Sequence, residues 1–375
     1  MLILSLETSC DETAVAIVQA QKNKSKTLAN VVSSQVKLHA EWGGVVPNLA
    51  AREHLKNITP VLNEALEIAK LKLSDIDLFA VTNGPGLIPA LLLGVNSAKA
   101  LSYFQQKPLV GVHHIAGHIL SAFFDEQLNF QISPEQFPLL TLTVSGGHTQ
   151  LIYSKQPFAF QIIGETQDDA AGEAFDKVAK ILNLGYPGGP LVSQLADNYI
   201  RKNKINLNKL DKQTNSPSQK KLFPRPMLNK PNFDFSFSGL KTAVLYHSQK
   251  NNLSSQESKE KICFEFQEAV VDVLVTKTIR ALKKYPAKTV SLAGGVSANT
   301  RLRTKLQNAI EKEGLALKMP PLTLTGDNAV MIAIAGYYKY LYYKQSNKLK
   351  IPRNNWKNLD ADANLKLKPL CIKIA

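Results

Sequence analysis

Leu2-Ile-Leu-Ser-Leu-Glu-Thr-Ser-Cys-Asp-Glu-Thr-Ala-Val-Ala-Ile-Val18 opens the chain, and Leu139-Leu-Thr-Leu-Thr-Val-Ser-Gly-Gly-His-Thr-Gln-Leu-Ile-Tyr153 repeats its plan near the middle. Each is an apolar strand, a turn of small hydroxylated, glycine or acidic residues, and a second apolar strand. Turns of this kind present backbone N–H groups and hydroxyls as a concavity for anions. Two of them in one chain predict a duplicated fold that closes on a nucleotide from both sides.

Outward from these hairpins the pattern alternates. Further strands are predicted at Leu78–Thr82, Leu109–Val112, Thr289–Ala293 and Ala316–Met319. Helical spacing of apolar residues marks Leu49–Ala69, Ala170–Leu184, Ser258–Lys284, Ser297–Glu313 and Asp327–Lys344. Such alternation implies an α/β architecture. At 375 residues, 44% of them apolar, the chain is large enough for two lobes with sizeable cores. The stretch Pro134–Pro138 reads as their connection, and Arg201–Asn232, rich in Lys, Asn and Pro, as a surface excursion.

Composition narrows the class. The longest apolar runs, such as Leu87–Val95, are too short to span a bilayer, and the N-terminus carries no basic and apolar leader. Three cysteines, Cys10, Cys263 and Cys371, offer neither a disulfide framework nor zinc spacing. Both features predict a bacterial-type cytoplasmic protein without a membrane partner. The excess of 45 basic over 30 acidic residues, +15, fits a polyanionic partner such as nucleic acid, or equally a Lys/Asn-rich surface. Part of it sits in Lys202–Lys221 and Lys339–Lys357.

Five constellations carry possible chemistry. In His113-His-Ile-Ala-Gly-His118, a helix would put His114 and His118 on one face, at a spacing that suits one transition metal. The plainer alternative is one capping and one buried histidine. Asp327, at a strand-to-helix turn, is the best third ligand, although N-caps are the commoner role there. Ser145-Gly-Gly-His-Thr149 and Ala293-Gly-Gly-Val-Ser-Ala-Asn299 offer backbone amides to a phosphate, or are an ordinary hairpin turn and a strand–helix turn. Asn299 suits a base or sugar, or a helix cap. Glu173 and Asp176, followed by Tyr186-Pro-Gly-Gly-Pro190, suit ribose hydroxyls, or form a solvated helix face beside a turn. Asp11 and Glu12 would repel a phosphate and are better placed to orient a nucleophile, unless they only form the turn.

Taken in order, Glu7-Thr-Ser-Cys-Asp-Glu-Thr13, Gly43-Gly-Val-Val-Pro47, Gly84-Pro-Gly-Leu87, His113-His-Ile-Ala-Gly-His118, Val144-Ser-Gly-Gly-His-Thr-Gln150, Gly172-Glu-Ala-Phe-Asp-Lys177, Ser236-Phe-Ser-Gly-Leu-Lys-Thr242 and Ala293-Gly-Gly-Val-Ser-Ala-Asn299 are much more specific than any one alone. Over roughly residues 1–345 the chain resembles the bacterial-type branch of the tRNA N6-adenosine threonylcarbamoyltransferase family, once named O-sialoglycoprotein endopeptidase. The resemblance implies an actin-like, hexokinase-like (ASKHA) two-lobe α/β fold of duplicated RNase-H-like cores. The lobes expected are 1–133, completed by a C-terminal helix at 325–344, and 134–324 with a basic insert near 201–232, then a basic tail over 345–375. It implies one divalent metal, Fe(2+) before Zn(2+), on His114, His118 and Asp327. It places substrate contacts on Thr143, Val144, Ser145, Gly146, Gly147, Asp176, Gly189 and Asn299.

The activity implied is transfer of threonylcarbamoyl from threonylcarbamoyl-AMP to N6 of the adenosine 3′-adjacent to the anticodon in tRNAs reading ANN codons. Implied partners are tRNA, a paralogous actin-like-fold subunit and a small ATPase. Asp11 and Glu12 are candidate acceptors of the amine proton. Where the family usually has Thr before the metal-binding Asp, this chain has Gly326. The alternatives weighed are a small-molecule kinase and a nucleotide-gated scaffold of the same fold. A metalloprotease is disfavoured, because HxxxH here lacks the glutamate of HExxH.

Overall fold

A computed structural model describes residues 1–213, 221–251, 255–345 and 355–369. The chain divides into two compact units. The first comprises residues 1–139, 154–161 and 318–375, and the second 140–153 and 162–317.

In unit 1 the opening hairpin forms β1 (Leu2–Glu7) and β2 (Glu12–Gln21), followed by β3 (Lys24–Ser34). After α1 (Val36–Ala40) and α2 (Pro47–Ala69) come β4 (Leu78–Gly84), α3 (Ile88–Gln105), β5 (Leu109–His113), α4 (His114–Ser121) and β6 (Asn129–Gln131). The sheet order is β5-β4-β1-β2-β3-β6. β1 runs parallel to β4 and β4 to β5, while β2 and β3 are antiparallel. Alternation along the strands gives the sheet two buried faces. Leu4, Leu6, Phe79 and Val81 point to one, where Ile58, Val61 and Ala65 of α2 and Val95 and Ala98 of α3 cover them.

Unit 2 repeats the plan. Its strands are β7 (Leu139–Val144), β8 (Thr149–Ser154), β9 (Phe160–Glu165), β10 (Thr289–Ala293) and β11 (Ala316–Lys318). Their order, β11-β10-β7-β8-β9, matches the first five strands of the other sheet, β5-β4-β1-β2-β3, without a counterpart of β6. The helices are α5 (Ala171–Ile181), α6 (Gly188–Lys202), α7 (Leu207–Gln213), α8 (Ser238–Lys250), α9 (Gln256–Lys284) and α10 (Thr300–Lys312). The duplicated hairpins thus grow into duplicated five-strand cores, the actin-like α/β fold. The last helix, α11 (Ala329–Gln345), returns to unit 1 and covers the second face of its sheet. Ser5 donates to the Ala329 carbonyl at 2.6 Å. A Cβ on Gly336 would stand 2.6 Å from that of Ala80, so only glycine lets helix and sheet approach this closely.

The described part of 201–232 is mostly exposed, yet parts of it are tied into unit 2. Phe223 is buried, Arg225 pairs with Asp272 at 2.9 Å, and Asp211 on α7 pairs with Arg301. The described part of the tail, 355–369, is likewise a strap on unit 1. Trp356, Leu359 and Ala361 join the core, and Tyr103 meets the Trp356 ring edge-on at 5.2 Å. The basic residues within 214–220, 346–354 and 370–375 lie outside the described residues.

Candidate metal centre and glycine turns

The carboxyl ends of β1, β4 and β5 lie side by side, the position where open α/β sheets place ligands. β5 runs directly into α4. His113 caps that helix, its Nδ1 accepting from the Ile115 amide at 3.2 Å. With the cap supplied, His114 and His118 project one turn apart, their ring centroids 4.6 Å from each other. Asp327 enters from the turn before α11. Its Oδ1 lies 3.4 Å from His114 Nε2 and 3.1 Å from His118 Nε2. The cap of α11 falls to the neighbouring residue, because Asn328 Oδ1 accepts from the Met331 amide at 3.1 Å. Asp327 is therefore free to face the imidazoles. A Cβ at Gly326 would meet nothing within 4 Å, so the threonine usual there would fit.

Glu7, at the end of β1, is fully buried and was not singled out in the sequence. Its Oε1 accepts from the Ser9 amide at 2.6 Å. Its Oε2 accepts from the Thr82 hydroxyl at 2.6 Å and from His114 Nδ1–H at 3.0 Å. Such a carboxylate fixes the ring and leaves Nε2 turned toward Asp327 and His118. Its signal in the sequence was its place at the end of the first strand, where it opens Glu7-Thr-Ser-Cys-Asp-Glu-Thr13.

The three groups suit a divalent ion. One ligand atom from each of His114, His118 and Asp327 lies within 4.8 Å of the others. Burial would lower the affinity of His114 for a proton, but the Asp327 and Glu7 carboxylates outweigh it and hold that imidazole well above its ordinary value. Burial and the charge on His114 lower His118. Burial would raise Asp327, yet the two imidazoles hold it well below the usual carboxylate range. Two imidazoles pulled in opposite directions beside a depressed carboxylate are a donor set that could hold a cation. Glu7→Gln is expected to weaken metal binding about 10–100-fold by loosening His114, as read by chelator competition. Unchanged affinity would mean that Glu7 does not orient the ligand.

Asp11 and Glu12 lie at the same end of the sheet. The half-buried Glu12 carboxyl is pushed well above its usual range by burial and by the negative charges of Asp327 and Asp11. Its Oε1 accepts weakly from Ser34, at 3.3 Å.

In unit 2 the Ser145 turn is closed by Ser145 N–H donating to the His148 carbonyl at 2.8 Å and the His148 amide donating to Ser145 Oγ at 3.1 Å. Gly146 and Gly147 are exposed, and a Cβ on either would meet nothing within 4 Å. The N-terminus of α5 packs on this turn so closely that a Cβ on Gly172 would come 2.6 Å from the Ser145 carbonyl. Gly294, at φ +88°, lets the turn after β10 lie against the Val144 carbonyl, where no side chain fits. Thr143 is buried, and its hydroxyl has no partner among the described residues.

Asp176 lies further along α5, where Oδ1 accepts from the Gly188 amide at 2.8 Å, and the neighbouring Gly189 has open space beside it. Asn299 caps α10, with Oδ1 accepting from the Leu302 amide. Its amide donates to Ser193 at 2.7 Å and Gln267 at 2.8 Å, so its polar atoms are already engaged within the protein.

Known proteins are similar to this chain. The family model described as "TsaD: tRNA N6-adenosine threonylcarbamoyltransferase" matches residues 26–334. A tRNA N6-adenosine threonylcarbamoyltransferase of Bacillus anthracis is 48% identical over 365 residues, covering 96% of this chain and 97% of that protein. One of Thermosipho africanus is 47% identical over 340 residues, covering 91% and 94%. Among solved structures, an activator of 2-hydroxyisocaproyl-CoA dehydratase from Clostridium difficile with bound ADPNP aligns with 93% of this chain and 97% of its own, at 13% identity and a TM-score of 0.44.

Proposed function

The chain belongs to the tRNA N6-adenosine threonylcarbamoyltransferase family, and we infer from this premise that it is an acyltransferase moving a threonylcarbamoyl group onto N6 of an adenosine in tRNA. The donor in this reading is threonylcarbamoyl-AMP. The acceptor is the adenosine 3′-adjacent to the anticodon of tRNAs reading ANN codons. The observation that supports it best is the convergence of two buried imidazoles and a carboxylate at the ends of three parallel strands in a chain of this family.

The donor is a mixed anhydride with AMP as the leaving group. A bond forms from N6 to the carbamoyl carbon, the bond from that carbon to the phosphate oxygen breaks, and N6 loses a proton. The exocyclic amine is a poor nucleophile, so positioning and stabilisation of charge carry the catalysis. His114, His118 and Asp327 would hold one divalent ion, which supplies Lewis-acid stabilisation of negative charge developing on oxygen. A donor set of two imidazoles and one carboxylate favours Fe(2+), with Zn(2+) the second choice.

In unit 2 the amides of Ser145–Gly147 and the N-terminus of α5 are the proposed anchors for the adenylate, together with Thr143, Val144, Asp176, Gly189 and Asn299. Asn299 would have to exchange one of its internal bonds to take part. Glu12, lifted above the usual carboxylate range and adjoining Asp11, is the proposed acceptor of the amine proton. A paralogous actin-like-fold subunit and a small ATPase belong to the same reading, as does a cytoplasmic setting. No helix among the described residues is long and apolar enough to cross a membrane.

The test is incubation of the protein with tRNA and labelled threonylcarbamoyl-AMP, with and without cell extract, followed by nucleoside analysis. Label is expected in N6-threonylcarbamoyladenosine. Label left in the donor even with extract present would end the reading. ATP consumption driven by a small substrate without tRNA would point to a kinase instead.

A further inference from the structure

A cavity of about 800 Å³ opens in unit 2 among α7, α9 and α10, built from none of the residues assigned above. Its floor is apolar where Val275, Ile279 and Ala309 line it. Three acids, Asp211, Asp272 and Glu311, also line it; the first two are already neutralised, while Glu311 is exposed and accepts from the Gln307 side-chain amide. Arg301 and Lys305 pair with Asp211, while Arg225 and Lys305 pair with Asp272.

The remaining cations are not neutralised in this way. Arg280 donates through Nη1 and Nη2 to the Leu228 and Asn232 carbonyls, which carry no net charge. Its Nε is shielded from solvent and has no partner among the described residues. Lys283 and Lys312 are exposed on the lining, each in the last turn of its helix, α9 and α10. Helix C-termini favour cations, which accounts for either lysine singly. It does not account for their convergence with Arg280 on one cavity with an apolar floor. A volume of this size accommodates a nucleotide unit. Cations above an apolar floor are the arrangement that receives a phosphate together with its sugar or base.

We propose that this cavity is a second contact for the tRNA substrate, in which Arg280, Lys283 and Lys312 grip a backbone phosphate and Val275, Ile279 and Ala309 receive the attached ribose or base. The proposal rests on the transferase reading, since that reading supplies the tRNA. It adds a site that positions tRNA through its backbone and without regard to sequence.

The experiment measures binding of a labelled tRNA transcript by fluorescence anisotropy across a range of salt. The proteins are the wild type, the double variant Lys283→Gln/Lys312→Gln, and a control, Lys24→Gln/Lys26→Gln, that removes two exposed charges from β3 of unit 1. The cavity variant is expected to bind tRNA about tenfold more weakly. Its plot of log affinity against log salt is expected to be shallower by about one to two units, because two counterion-releasing contacts are gone. The control should lose less in affinity.

Both lysines are exposed, so melting temperature and metal content should match the wild type, and a matched melt excludes misfolding as the cause. Equal affinity and slope in the wild type and the cavity variant would overturn the proposal. So would loss of AMP or ADP binding in that variant with tRNA binding intact, which would assign the cavity to a free nucleotide. A wild-type protein that neither binds nor modifies tRNA would instead count against the transferase reading.

Discussion

His114→Ala is expected to empty the metal site and abolish transfer together. Bound metal, read by elemental analysis, should fall from about one ion per chain to near zero. The rate of threonylcarbamoyladenosine formation should fall at least about a thousand-fold, on the order of 4 kcal/mol of transition-state stabilisation. Three contributions are lost at once. Nε2 no longer reaches the Asp327 carboxylate, which lies 3.4 Å away. His118 and Asp327 alone make too small a donor set for tight binding. The buried Glu7 carboxylate keeps Ser9 and Thr82 but loses the imidazole it oriented. Because a buried carboxylate that loses one of its partners also costs stability, Asp327→Asn serves as a second variant of nearly unchanged shape. It should lose metal and activity to a similar degree with a smaller change in melting temperature. Full transfer by either protein without metal would remove the ion from the mechanism.

The second large effect concerns stability. Arg301→Ala is expected to destabilise unit 2 by about 3–5 kcal/mol, the usual result of breaking a buried ion pair from one side. Arg301 is 3% exposed and lies between Glu268, bonded at 2.6 and 2.8 Å, and Asp211. Its removal leaves two carboxylates to share Lys305, which already serves Asp272. Both tryptophans, Trp42 and Trp356, belong to unit 1, so intrinsic fluorescence would miss the change. Hydrogen exchange of the α9 and α10 amides reads it directly and should quicken by about two to three and a half decades.

The effect also depends on pH. Burial would raise the Asp211 carboxyl, but Arg301 and Lys305 hold it below its ordinary value. A carboxyl depressed in the folded state contributes stability above its unfolded pKa of about 3.9, and the contribution fades as pH falls through the lower folded value. The wild type should therefore lose this contribution in acid, below about pH 4, and the variant should show less of that decline. Unchanged exchange in α9 and α10 at neutral pH would show that the cluster adds nothing.

Much of the fold was legible because its central strands are apolar on both faces. β1, β4, β5, β7 and β10 appear as short, mostly apolar runs whose few hydroxyl residues, such as Ser5, Thr141 and Ser291, are buried too. β3 did not, since Lys24-Ser-Lys-Thr-Leu-Ala-Asn-Val-Val-Ser-Ser34 is polar on alternate residues and owes its state to the long ladder with β2. α3 was equally hidden. It is apolar around much of its circumference, with β4 and α2 on some sides and the 355–369 strap on another, so its helical period is faint.

At the metal centre the i,i+4 spacing of His114 and His118 was readable in one line of sequence. Asp327 could not be told from a helix cap until Asn328 was seen to fill that role. Glu7 depends on β1, β4 and β5 ending side by side, a relation between residues 7, 82 and 114 that no local pattern carries.

That α11 and Asp327 follow unit 2 in the sequence has a consequence for how the protein comes off the ribosome. Residues 1–139 emerge early, yet their sheet stays bare on one face, and their metal site short of a carboxylate, until some two hundred more residues have been translated. A chain terminated before residue 327 lacks one of the three ligand residues, so the candidate ion site is complete only after unit 2 has been made.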